Sequence, residues 1–330
     1  MVKNNGISVI IPNYNGRYLL AEIIPALYTA LQQTGLPYEI IISDDKSADD
    51  SVTYIRSAFP EIKVLESDKN RGFSPAINKG IFIAEYDLLL LLNSDVKLSQ
   101  NYFEKLFPYF NMADTFGVMG RIAGWDDDGI QDGGKHPAYQ GAKIKTSGNY
   151  YPVDPAESRK LYSMYLSGAN ALVSREKIAE IGGFDELFAP FYVEDFELSL
   201  RAWRIGWKCY YEHNSICRHK TSATIKTQSS RNFIKKIYYR NKMFLHALHP
   251  EGSALWLWYV QLIPEMIMHL FLGRFWFFSS VKMFIDSKKE IQASRDRFTA
   301  LSLHKNVLLS VNEVVNKILL SLKGIPIKRF

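Results

Sequence analysis

Five consecutive leucines, Leu88–Leu92, run directly into Asn93, Ser94 and Asp95. So short and uniformly apolar a run cannot cross a bilayer. It also lacks the polar alternation of a half-solvated strand, and so fits a strand buried on both faces. The three polar residues at its exit are delivered to a sheet edge, where burying them is costly unless they are used. Earlier segments repeat the arrangement. An apolar run over 7–11 leads into Pro12, Asn13, Tyr14 and Asn15, and one over 38–43 leads into Asp44, Asp45, Lys46 and Ser47. Helical spacing through Leu20, Ile24, Leu27 and Leu31 predicts a helix over 17–33. Further helices are expected over 51–58 and 74–84, with a strand over 62–66 between them. The alternation predicts an α/β fold, a mostly parallel sheet with flanking helices, and ligands at the carboxyl ends of its strands.

Common nucleotide and hydrolase signatures are missing. No G-x-G-x-x-G follows the first strand, and G-x-x-x-x-G-K-[ST], H-E-x-x-H and G-x-S-x-G do not occur, which disfavours dinucleotide dehydrogenases, P-loop hydrolases, zincins and α/β-hydrolases. With 330 residues, 47% hydrophobic and 22% charged, the chain can bury a large core and is not of a disordered class. Cys209 and Cys217 are too few for a disulfide framework and suit a reducing compartment. The first residues lack a signal-peptide core, so an intracellular protein is expected.

Several polar residues admit two readings. Asp44 and Asp45 could cap the next helix, or accept hydrogen bonds from a ligand. Arg71 could be a solvated loop residue or a counter-charge for an anion, beside a Gly72 that permits close approach. Glu194 and Asp195 open a helix expected over 193–205, where acids favour the helix dipole. The apolar Phe191, Tyr192 and Val193 before them would also tune a carboxylate as a base. Six glycines make the segment 123–162 read as a loop, with Trp125, Tyr139, Tyr150 and Tyr151 placed to stack on a ligand.

In their order along the chain, Pro12-Asn13-Tyr14-Asn15, Asp44-Asp45 and Asn93-Ser94-Asp95 resemble the inverting family-two glycosyltransferases of the GT-A fold. The likeness continues through Asn70-Arg71-Gly72-Phe73, Asn78-Lys79-Gly80, Ser167-Gly168-Ala169-Asn170, Ile181-Gly182-Gly183-Phe184-Asp185-Glu186, the stretch from Glu194 to Arg201, and His219. Within that family the chain is most similar to rhamnosyltransferase-like enzymes of bacterial surface polysaccharide synthesis. The resemblance implies a nucleotide-diphosphate sugar donor and one inverting displacement by an acceptor hydroxyl. It implies that Asp45 reads the donor's base, with Pro12, Tyr14, Asn15, Arg71, Asn78, Asn93 and Ser94 completing the donor site. The family's Asp-x-Asp metal motif falls on Asn93-Ser94-Asp95. Asp95 is then the carboxylate for a divalent magnesium or manganese ion, and His219 a second ligand. Asp195 stands where the family has its base, with Glu194 positioning it or the acceptor. A non-catalytic sugar- or nucleotide-binding scaffold and a nucleotidyltransferase remain the alternatives.

The last third is a different material. Residues 231–330 hold 16 basic and 6 acidic residues, a net of +10, against −4 for the first 230. A basic helix is expected over 231–249, and an amphipathic one over 307–322. Between them lies an aromatic, apolar stretch with three tryptophans, interrupted by Glu265, Arg274 and Lys282. This pattern suits an interfacial helix on anionic lipid and not nucleic acid. The expectation is a catalytic domain over 1–230 and a membrane-surface or oligomerisation region over 231–330. The protein would then lie in the cytoplasm on the inner face of the plasma membrane, acting on a lipid-linked or cell-surface glycan, with a homo-oligomer as the other use of these helices.

Overall fold

The leucine run is the strand the sequence predicts, and every one of its side chains is at most 1% exposed. The computed structural model describes residues 6–158, 160–220 and 230–330. Its strands are β1 (Ile7–Asn13), β2 (Tyr38–Asp44), β3 (Lys63–Glu66), β4 (Leu88–Leu92), β5 (Val96–Leu98), β6 (Thr115–Gly124), β7 (Ile130–Asp132), β8 (Gly134–Gln140), β9 (Lys143–Pro152), β10 (Leu161–Tyr162), β11 (Asn170–Ser174), β12 (Lys208–His219) and β13 (Ile327–Arg329). The helices are α1 (Arg17–Gln32), α2 (Ser51–Ala58), α3 (Phe73–Ile83), α4 (Arg175–Glu180), α5 (Glu194–Arg204), α6 (Arg231–Leu248), α7 (Gly252–Phe271), α8 (Phe275–Asp286), α9 (Lys288–Lys305) and α10 (Val311–Ser321).

The main sheet runs β10-β12-β6-β11-β4-β1-β2-β3. β1, β2, β3 and β4 are mutually parallel, whereas β11 lies antiparallel to both β4 and β6. That reversal matters for the site. Because Asn170 pairs with Leu92, the loop entering β11 arrives where β4 ends. β12 reaches the same edge from the other side, where its His219 pairs with Val96 of the short β5. Segments far apart in sequence therefore converge on the exit of the leucine strand.

The segment 123–162 is not a loop. It contains β7, paired to β6, and the antiparallel β8–β9 hairpin, extended by β13 into a second sheet. The glycines sit at the turns and twists of this hairpin: Gly141 (φ 61°) makes the turn and Gly148 has φ 104°. Tyr150 is fully buried, and its hydroxyl donates to the Tyr162 carbonyl at 2.6 Å, so it cannot stack on a ligand. Tyr151 stacks on His213, ring centroids 5.4 Å apart.

The C-terminal helices share one hydrophobic core with the sheet. Phe244, Trp258, Phe277, Val315 and Ile318 belong to the same buried cluster as Leu89, Leu91 and Val173. The amphipathic face of α10 is thus covered by the rest of the protein. α7 is divided. Trp258, Leu262 and His269 point inward, while Trp256, Ile263, Ile267, Leu270 and Phe271 are exposed. Of the three tryptophans in this stretch only Trp256 is free to meet another surface: Trp258 is fully buried against His246 and Phe284, and Trp276 packs on Tyr239.

Replacing Trp258 with Ala should therefore cost about 3–5 kcal/mol and lower Tm by on the order of 10 °C. Trp256→Ala should change stability by no more than about 0.5 kcal/mol. Thermal unfolding of the two variants checks this; equal shifts would contradict the inward assignment of Trp258.

Candidate active site

The carboxyl ends of β1, β2 and β4 wall a cavity of about 850 Å³, large enough for a nucleotide-sized ligand. Pro12, Tyr14, Asn15, Asp45, Asn93, Ser94, Asp95 and His219 line it together with Phe73, Phe191 and Phe233. Its floor is knit by hydrogen bonds between strand ends. Asn13 donates to Asp44 at 2.8 Å, Ser47 donates to Asp44 at 2.6 Å, and the Asn15 backbone donates to Ser47 at 2.8 Å. Asp44 and Ser47 are thus structural. Asp45 faces the cavity, and its carboxylate also receives the Arg71 and Gly72 backbone N–H groups at 3.0 and 2.7 Å. Gly72 has φ 94°, and a Cβ there would lie 2.3 Å from Pro190 Cα, so only glycine lets this loop close on the opposite wall.

One corner holds unmet polar atoms. His219 Nε2 lies 3.3 Å from Asp95 Oδ2, and its Nδ1 is 3.2 Å from Gln131 Oε1. The Lys220 amide donates to the Asp95 carbonyl at 3.0 Å, which ties the end of β12 to the turn after β4. Among the described residues, Asp95 Oδ1 and Asn93 Oδ1 are buried without a hydrogen-bond partner. Buried acceptors of this kind fit a cation or a ligand donor. Among the described residues no cluster of three or more His, Cys, Asp or Glu occurs, so external oxygens would have to complete any coordination shell here.

A second cavity, of about 300 Å³, adjoins the start of α5 and is lined by Glu194, Asp195, Tyr165, Tyr192, Lys145 and Lys242, among others. Burial pushes the Asp195 carboxyl up to about 6, opposed by the Lys135 charge and by the Phe196 and Gly168 amides. Burial and then the charge of Asp195 raise Glu194 well above the carboxylate range. Gly168 lies near a lining residue of each cavity: a Cβ on it would be 3.3 Å from Phe73 of the larger and 3.9 Å from Asp195 Cβ of the smaller.

Two predicted donor residues turn elsewhere. The Arg71 guanidinium pairs with Glu186 at 2.8 Å on the surface, with both side chains about half exposed. Asn78 is buried away from the larger cavity, donating to the Phe184 carbonyl at 2.9 Å and accepting from the Phe184 amide at 2.9 Å. It latches α3 to the Gly182–Gly183 turn, a structural role. Arg201 completes that latch by donating to the Ile181 and Gly183 carbonyls at 2.6 and 2.8 Å and to the buried Glu197 at 2.7 Å.

Sequence reasoning missed Asn241. Its Nδ2 lies 2.6, 3.0 and 2.8 Å from the carbonyl oxygens of Phe188, Phe191 and Tyr192. Arg240 donates to the Asn241 carboxamide oxygen and to the Ala189 carbonyl. Together they clamp the loop that leads into Glu194. The clamp has work to do, because Tyr192 and Val193 have φ 75° and 74°, and a β-branched residue in that region is strained. Such backbone costs about 1–3 kcal/mol per residue and persists only when its surroundings hold it. The available signal was an asparagine in the apolar stripe Ile237, Phe244, Leu245, Leu248 of α6.

A sheet with this reversal at β11, polar strand ends around a large cavity, and the Glu194–Asp195 acid pair in the smaller cavity are the features of a glycosyltransferase of the GT-A fold. The chain belongs to the family described as Glycosyl transferase family 2, which matches residues 8–182. It is 28% identical over 194 residues to the uncharacterized glycosyltransferase YwdF of Bacillus subtilis (strain 168), covering 58% of this chain and 66% of that one. It is 22% identical over 220 residues to the N-acetylglucosaminyl-diphospho-decaprenol L-rhamnosyltransferase of Mycobacterium tuberculosis, covering 60% and 71%. The matches thus span about two thirds of these relatives' lengths. The fold is similar to that of GalNAc-T7 with UDP, GalNAc and Mn2+ (TM-score 0.65, 18% identity, 99% of this chain and 59% of that one). It is also similar to the mannosyltransferase PcManGT from Pyrobaculum calidifontis in complex with GDP-Man and Mn2+ (TM-score 0.53, 15% identity, 97% and 86%).

Asn241→Ala should release the loop before Glu194 and lower kcat about 10- to 100-fold by misplacing Asp195, with donor affinity little changed. Steady-state kinetics beside a nucleotide-binding titration measure the split. An unchanged kcat would show that the clamp does not position Asp195 for turnover.

Proposed function

We propose that this glycosyltransferase moves one sugar from a nucleotide-diphosphate donor to an acceptor hydroxyl by a single inverting displacement, the acceptor being a lipid-linked glycan. The observation that carries the reading is Asp195, a half-buried carboxyl raised to about 6 that lines the smaller cavity and lies near Gly168, as does Phe73 of the larger cavity. The donor occupies the larger cavity. Asp45 offers its remaining lone pairs to the N–H edge of the base, and Tyr14 and Phe191 supply apolar walls. Asp195 takes the acceptor proton as the hydroxyl attacks the anomeric carbon. Glu194, kept protonated by its burial and its neighbour, donates a hydrogen bond and orients the acceptor or the base. Asp95 and His219, with the free Asn93 oxygen, fit a divalent magnesium or manganese ion, and Gln131 on Nδ1 would fix the imidazole for it. When bound, that ion offsets the charge of the departing diphosphate.

The rhamnosyltransferase relative, named for a lipid-diphosphate acceptor, supports a polysaccharide-building role. The exposed apolar face of α7, on a segment of net charge +10, supports peripheral attachment to an anionic membrane on its cytoplasmic side. α7 is long and apolar enough to cross a membrane by length and composition. Yet Gln261 accepts from the Ala142 amide at 2.7 Å, and Glu265 pairs with Lys143, so its polar side is committed to the protein and the helix lies along the surface.

Incubation with a panel of nucleotide sugars and lipid-linked acceptors should release a nucleoside diphosphate. Pyrophosphate would indicate nucleotidyl transfer, and no product a binding scaffold. Asp195→Asn should keep donor affinity and lose transfer by roughly two to four orders of magnitude. The kcat/KM of the wild type should fall as pH drops below about 6. Because the native value lies above the ordinary one, ionising Asp195 weakens the fold as pH rises from 3.8 through 6. Asp195→Asn should therefore melt higher than wild type above pH 6 and lose that advantage below 3.8.

Flotation with liposomes of rising anionic content tests the attachment. A variant carrying Trp256→Ser, Ile263→Ser and Phe271→Ser, all at exposed positions, should stay unbound where wild type floats. Equal behaviour at every composition would defeat it.

A further inference from the structure

We infer that Tyr192 is a specificity-determining residue of the smaller cavity, its ring held for contact with the C–H face of the sugar ring that carries the acceptor hydroxyl. The inference rests on the assignment of Asp195 as the acceptor's base, and adds to it a side chain that reads the acceptor. It starts from two turns with similar backbones and different residues. Gly182 and Gly183 have φ 80° and 70°, and ten residues later Tyr192 and Val193 have φ 75° and 74°. Glycine adopts this conformation without steric strain. Tyrosine and valine do not, and they persist in it because Asn241 and Arg240 hold the loop. If the turn served merely to aim Glu194 and Asp195, glycine at both positions would do so with less strain. The side chains that are kept therefore have uses of their own. That of Val193 packs on the main buried cluster. That of Tyr192 is half-buried and lines the smaller cavity with Glu194 and Asp195.

The surroundings of the ring define what it can take. Tyr238 of α6, exposed and lining the same cavity, stands edge-on to Tyr192, with ring centroids 6.0 Å apart and planes at 90°. Phe191 meets Tyr192 at 4.9 Å and 77°. A third tyrosine of this cavity, Tyr165, is fixed between Phe196, which it stacks on at 5.0 Å, and Lys135, whose Nζ lies 5.1 Å from its ring centroid. Burial and then the charge of Glu194 raise the Tyr192 hydroxyl above its ordinary range, so it stays protonated beside the acids. Tyrosines around two carboxyls offer apolar faces with polar groups at their rims. A pyranose has the matching chemistry, a face of ring C–H bonds with hydroxyls around its edge. An open-chain alcohol has no rigid face to lay on a right-angled aromatic corner. At about 300 Å³ the cavity takes a sugar ring but not a second nucleotide.

The test uses the full chain and saturation-transfer NMR, with methyl β-D-glucopyranoside, methyl α-D-mannopyranoside and the open-chain polyol D-glucitol as probes. In wild type and in Tyr192→Phe the ring C–H protons of at least one pyranoside should take up saturation, and those of glucitol much less. Tyr192→Ala and Tyr192→Gly should each weaken pyranoside binding by roughly five- to tenfold. This pair of variants separates the ring from the fold. Glycine relieves the left-handed strain that alanine keeps, so Tyr192→Gly should melt about 2 °C above Tyr192→Ala while losing the probe to the same extent. Pyranoside binding at the wild-type level in both variants would overturn the role of Tyr192. Glucitol saturated as strongly as the pyranosides in wild type, or no pyranoside signal at all, would overturn the sugar-ring assignment. A Tyr192→Gly protein melting no higher than Tyr192→Ala would overturn the claim that the ring is kept against strain. These outcomes leave glycosyl transfer intact, provided wild type releases nucleoside diphosphate with some donor and acceptor. Absence of that release with every donor and acceptor would instead overturn the proposed function.

Discussion

The site depends on where the direction of the sheet reverses beside β4. A strand of five leucines buried on both faces cannot shift register without exposing apolar surface or burying its polar exit, so Asn93, Ser94 and Asp95 are pinned at its end. Because β11 runs antiparallel beside it, the chain returns through Ser167, Gly168 and Ala169 at the same edge, with the Asn93 amide donating to the Ala169 carbonyl at 3.1 Å. His219 is brought in by the pairing of β12 with β5. Polar residues separated by more than a hundred positions are thus placed by apolar packing and strand register, and the loops need contribute little rigidity of their own.

Asp195 is placed by a different means. It is the second residue of α5, whose first, Glu194, directly follows two residues in the left-handed region, a conformation that α5 alone would not impose. Its energetic cost is met from outside, by Asn241 and Arg240 on a helix of the C-terminal third. The last hundred residues consequently hold the backbone before α5 in place, which agrees with the buried cluster joining them to the sheet.

What could be read in the sequence follows from the range of the interactions. Strand exits at 12–15, 44–47 and 93–95 were legible because burial pattern and polarity change within a few residues, and the start of α5 because an aromatic stretch precedes acidic residues. Asn78 and Arg71 were misassigned because their partners, Phe184 and Glu186, lie more than a hundred residues away. An asparagine that faces a ligand looks the same in sequence as one that faces a backbone. The hairpin over 134–152 was hidden by glycines, which signal turns locally but also serve twisted strands. Trp256 and Trp258 differ by two positions in one apolar run, and only the packing of α7 on α6 decides which is inward.

The pairing of β13 with β9 has a consequence for how the protein is made. Arg329 pairs with Tyr150, and Phe330 exchanges backbone hydrogen bonds of 3.0 and 3.1 Å with Asn149, contacts that cross more than half of the chain. During synthesis β9 emerges long before its outer partner, so the wall that carries Lys145 begins as an unprotected strand edge. The apolar face of α7 appears in the same interval. Until β13 docks, β9 keeps an open outer edge, and closing it is a long-range step that exposes strand backbone for as long as it is delayed.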